Sequence, residues 1–88
     1  MFNAQDDLGA SLFKTWDEEQ KGEEIGRLVQ GYRSGVPVGI LCKMAETIAG
    51  SRDKAKEYLA LYMDDEERRK AVENESGGMR QVVAEFML

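Results

Sequence analysis

The sequence predicts an all-α fold, a small single-domain bundle of four to five helices, and three observations carry that prediction. Apolar residues recur at helical spacing nearly throughout. The longest strand-like alternation, Gly35 to Ile40, contains Pro37. Capping and breaking residues fall between the apolar stripes, where helix ends are expected. A chain of 88 residues has room for one modest core, so residues 1–88 are read as one domain. Apolar residues make up 42% and charged residues 33%, which is too apolar for a disordered chain.

Leu8, Leu12, Phe13 and Trp16 form one stripe of a first helix, which then runs into the polar stretch Asp17 to Gly22. Ile25, Leu28, Val29 and Tyr32 repeat at i, i+3, i+4 and i+7, the clearest helical signature in the chain. Gly26 and Gly31 each weaken that helix by about 1 kcal/mol relative to alanine. Ser34-Gly35-Val36-Pro37 ends it, and proline suits the opening of the next helix because its φ is fixed and its missing N–H is not needed there. From Pro37 the stripe Val38, Ile40, Leu41, Met44, Ala45, Ile48 and Ala49 is assigned to the core, ending at Gly50. Ser51 is a good N-cap for a helix whose Ala55, Tyr58, Leu59 and Tyr62 face inward. Asp64 to Glu67 place acids at a helix N-terminus, ahead of Arg68, Arg69 and Lys70. Asn74 to Gly78 break the pattern before a last stripe of Met79, Val82, Val83 and Phe86.

Composition excludes most chemistry. With no histidine and a single cysteine, Cys42, the chain lacks the usual zinc ligand sets, Ser-His and Cys-His nucleophile pairs and histidine acid-base catalysis. No enzyme activity and no cofactor are expected. The acidic run Asp64 to Glu67 lacks the alternating spacing of a calcium loop and is read as helix capping. No glycine stands in a phosphate-cradling motif. Cys42 sits among Ile40, Leu41 and Met44 and is read as a small buried hydrophobe. The longest stretch without a charge, Ser34 to Cys42, is far short of a bilayer span. The acidic N-terminus is unlike a secretory signal, which leads to the expectation of a cytoplasmic protein without membrane contact.

The net charge of −5 is unevenly spread. Residues 1–31 hold seven acids and three bases, and residues 64–88 hold seven and four. Residues 32–63 hold five bases (Arg33, Lys43, Arg52, Lys54, Lys56) against three acids, the one basic third of the chain. That third also contains two helices meeting across the short joint Gly50-Ser51, the second opening with Arg52, Lys54 and Lys56. This is the form of a helix-turn-helix, spanning about residues 37–63, whose second helix enters the major groove of double-stranded DNA. The expected DNA-binding residues are Ser51, Arg52, Lys54 and Lys56, with Arg33 or Lys43 adding charge if they lie nearby.

The order of elements resembles the helix-turn-helix region of ParB and KorB-type partition proteins. The likeness runs from Ile25-Gly26-Arg27-Leu28-Val29 and Gln30 to Gly35 through Met44 to Arg52, then Tyr58 to Tyr62, Asp64 to Glu75 and the segment at 78–83. The resemblance implies a DNA-binding regulatory protein in which Ser51 and Arg52, opening the recognition helix, contact the duplex.

Two other classes compete. A small acidic helical chain suits a phage-type inhibitor that binds and occludes a host defence or nucleic-acid-binding protein. A purely structural homo-oligomer is the third. Met79, Val82, Val83 and Phe86, running toward the chain end, must pack on the domain or on another chain, since termini otherwise fray. They are the expected interface of a homodimer or of a complex with a protein partner.

Overall fold

The computed structural model describes residues 15–88, and within them the chain is all-helical. Five helices follow in order: α1 Glu18–Arg33, α2 Val38–Ala49, α3 Arg52–Tyr62, α4 Asp65–Glu73 and α5 Gly77–Met87. The helix expected over Leu8 to Trp16 lies outside the described residues except for its end. Trp16 itself is half-buried against the core.

α1 begins earlier than its apolar stripe. The polar stretch from Asp17 to Gly22 is helical from Glu18 onward, continuous with the Ile25 to Tyr32 stripe. The reason is a capping box: the Gln20 N–H donates to Asp17 Oδ1 (2.8 Å), and the Asp17 N–H donates to Gln20 Oε1 (3.1 Å). Pro37, at φ −57°, stands immediately before α2. Gly50 ends α2 in the left-handed region at φ 91°, where any other residue except asparagine or aspartate is strained. Ser51 and Asp64 cap α3 and α4 through hydrogen bonds from Lys54 N–H (3.2 Å) and Glu67 N–H (2.8 Å).

α3 touches α1, α2 and α5, α2 also touches α1 and α5, and α5 packs on α4 as well. The core is built from Ile25 and Val29 of α1, Val38, Leu41, Cys42, Ala45 and Ile48 of α2, and Ala55 and Leu59 of α3. Met63, Ala71, Val72, Val83, Phe86 and Met87 complete it. No charged or polar side chain is buried among the described residues, so the interior is held by apolar contact alone. Gly26 has a packing reason: a Cβ there would come within 2.8 Å of the Tyr62 ring, which lies across α1. Tyr62, expected in the core, instead covers that glycine from the surface at 39% exposure.

One ion pair closes the bundle. Arg33, at the C-terminus of α1, donates from Nε and Nη2 to the two carboxylate oxygens of Glu67 on α4 (2.9 and 2.8 Å) and from Nη2 to the Tyr62 carbonyl (2.7 Å). This forked hydrogen bond holds the Glu67 carboxyl below the usual carboxylate range. A lowered native pKa means that the contribution to stability is complete above the unfolded-state value and is lost as the pH falls through the native one. Arg33→Gln is therefore expected to lower the melting temperature at neutral pH, with the difference from wild type shrinking once the pH falls below about 4. Thermal melts of both proteins at several pH values check this, and a difference that does not shrink at acid pH contradicts it.

Candidate functional site

The two helices of the expected helix-turn-helix, α2 and α3, meet across Gly50-Ser51 as the sequence suggests, but the cations on α3 are not arranged as a DNA-reading face. At 100° per residue, Lys54 and Lys56 are separated by 200° and lie on opposite flanks of the helix. Between those flanks the solvent side carries Asp53, Glu57, Ala60 and Leu61, all exposed. Asp53 and Glu57, four residues apart on one ridge, put carboxylates where phosphates would approach. Lys54 is spent in part on Glu57 (3.6 Å). Lys56 is half-buried.

Arg52, expected to face outward beside Lys56, is turned instead toward α2 and α5. Its Nε donates to Glu46 Oε2 of α2 (3.2 Å), and its Nη1 donates to Glu85 of α5. The guanidinium carbon lies 5.0 Å from the centroid of the Phe86 ring, within cation–π range. One positive charge is thus shared by two half-exposed carboxylates and the ring of the buried Phe86. Arg33, offered as a supplementary DNA cation, is bound to Glu67 on the far side of the bundle. Ser51 performs the capping role assigned to it, and its Oγ accepts from Lys54 N–H. Of the five bases in the basic third, only Lys43 and Lys56 form no ion pair among the described residues.

The C-terminal stripe divides. Val83 and Phe86, expected at an intermolecular interface, are 0% and 3% exposed within this chain, so they belong to its own core and are not available to a second molecule. All four share one face of α5 at i, i+3, i+4 and i+7, and the bundle closes over Val83 and Phe86 while Met79 and Val82 line the open seam with α2. Met79 and Val82 remain 43% and 41% exposed.

These two residues open onto a feature absent from the sequence reading. Between α2 and α5 lies an apolar groove of about 320 Å³, lined by Gly39, Cys42 and Lys43 on one side and Met79, Val82 and Phe86 on the other, with Glu46 and Arg52 at one end. Gly39 makes room for the Met79 methyl, which a Cβ at that position would displace. Beside the groove, Ile40 and Met44 stand out from α2 at 52% and 40% exposure, with Val36 ahead of them at 40%. Both had been assigned to the core, but the inward face of α2 is already filled by Val38, Leu41, Ala45 and Ile48. Ile40 and Met44, at i and i+4, fall on the other side. Apart from the strip of Lys43, Glu46 and Thr47, α2 is apolar on every side, so its own sequence does not say which apolar residues turn inward.

Cys42 lies at the floor of the groove, 1% exposed, and burial pushes its thiol up to about 11. At neutral pH it is a protonated, unreactive packing residue, as expected from its apolar neighbours.

Among the described residues no helix is long and apolar enough to cross a membrane. The fold and groove define a class, over the described residues a bundle of five helices with a half-open apolar face. The chain matches no family model, no curated protein and no solved structure.

Proposed function

We propose that this chain is a small helical protein-interaction module acting in the cytoplasm, whose contact surface is the outer face of α2 together with the groove it forms with α5. The observation that carries this reading is the concentration of exposed apolar side chains there, Val36, Ile40, Met44, Met79 and Val82, on a chain that is otherwise strongly charged. A patch of this kind, rimmed by charged groups, is characteristic of a surface that another protein covers. The electrostatics of α3 point the same way, since its outermost ridge is acidic and its strongest cation is neutralised by Glu46 and Glu85. The acidic balance of the chain fits an inhibitor or adaptor that works by occupying a partner better than it fits a reader of phosphates.

Duplex binding of the ParB and KorB type is the second reading, favoured by the two-residue joint and the Ser51 cap at the start of α3. A titration of a fluorescent DNA duplex separates the two. The interaction reading expects no binding at about 50 mM salt and micromolar protein, conditions under which even non-specific DNA binders give signal. Binding whose logarithm falls with log salt at a slope of about −5 to −9, flattened in the Arg52→Ala, Lys56→Ala double variant, overturns it.

A further inference from the structure

We infer that the molecule covering the α2–α5 face is a second copy of this chain, so that the protein is a two-fold dimer in which the Ile40–Met44 ridge of each copy fills the groove of the other. The inference deepens the protein-interaction reading and rests on it. Three observations single out this occupant.

The first is shape. A ridge (Ile40, Met44) and a groove (floored by Cys42 and Gly39, walled by Met79 and Val82) lie on the two flanks of the exposed arc of α2, with Lys43 and Thr47 between them. A two-fold axis makes such a face self-complementary, because ridge meets groove twice in the same contact. The second is area. Val36, Ile40, Met44, Met79 and Val82, each 40 to 52% exposed, together present about 400 Å² of apolar surface. A standard interface buries about 800 Å² per partner, somewhat over half of it apolar, so this face supplies most of the apolar part that a stable dimer needs.

The third is charge. At −5 per chain, two copies repel across most of their surfaces. On this face Glu46 and Glu85 share the single charge of Arg52, leaving one negative charge in excess, and Lys43, between ridge and groove, is an unpaired positive one. The face is therefore neutral as a whole, and in the paired arrangement each Lys43 is set against the acidic end of the facing groove.

Sedimentation equilibrium from about 0.1 to about 100 µM tests this, since contacts of standard size associate at micromolar concentration or below. The 9.9 kDa chain is expected to reach twice its mass within that range. A single-chain mass at the highest concentration overturns the second copy, while the duplex titration judges the interaction reading separately. Ile40→Glu (ridge) and Val82→Glu (groove) should each raise the dissociation constant at least tenfold, and Leu61→Glu, on the exposed ridge of α3, should leave it unchanged. All three positions are exposed, and melting curves of the variants verify that the fold is kept. A dimer indifferent to both face variants overturns the proposal.

Mixing the two face variants gives the sharper result. A heterodimer of Ile40→Glu with Val82→Glu keeps one wild-type ridge in one wild-type groove, whereas each homodimer keeps none. The mixture is therefore expected to associate more tightly than either variant alone. Equal weakness of the mixture and the separate variants overturns the ridge-in-groove arrangement.

Discussion

Val83→Asp is expected to abolish the fold. Val83 is fully buried at the junction of α5 with the rest of the bundle, where no cation or polar side chain is buried to receive a carboxylate. A charge placed there must either stay ionised in an apolar interior or take up a proton, and both cost several kcal/mol. Native domains of this size are stable by only about 5–15 kcal/mol in total, and each kcal/mol moves the melting temperature by about 4–8 °C. Loss of a cooperative thermal transition, or a fall of at least about 15 °C by circular dichroism, is the expected outcome. Val82→Asp, one residue away and 41% exposed, should change the melting temperature of the single chain by only a few degrees. Equal effects at the two positions would show that α5 is not oriented as described.

Leu59→Ala should have the next largest effect, a loss of about 2–5 kcal/mol. Leu59 has no exposed surface and lies on α3, which packs against α1, α2 and α5. Truncating it opens a cavity where three interfaces converge, and surrounding helices held on several sides cannot collapse to fill it. A drop in melting temperature of about 10 °C or more follows. The comparator is Leu61→Ala on the same helix, 75% exposed, where the change should lie within about 0.5 kcal/mol. Chemical denaturation of both variants measures the difference directly.

Much of the fold was legible because the signals that define it are local. Ser51 and Asp64 accept hydrogen bonds from backbone N–H groups three residues on, Pro37 restricts its own φ, and Gly50 takes up a conformation closed to most side chains. Each acts within about one helical turn, so the sequence alone places α2, α3 and α4. The Asp17–Gln20 capping box is equally local and was readable in the same way, although the polar run around it hid the start of α1.

The functional surface depended on contacts that no local pattern encodes. Arg52 looks like a free DNA-facing cation until Glu85, 33 residues later, is brought to its side by α5 packing on α3. Arg33 is likewise claimed by Glu67, 34 residues on. Val83 and Phe86 look like an interface until the bundle closes over them, and Ile40 and Met44 look like core until the inward face of α2 proves full. By itself the sequence determined that the chain is helical and where α2, α3 and α4 begin and end, because capping and backbone restriction act over three or four residues. The tertiary structure alone decided which charges remain free and which apolar residues face out, because charge neutralisation and burial depend on neighbours that packing, not chain order, brings together.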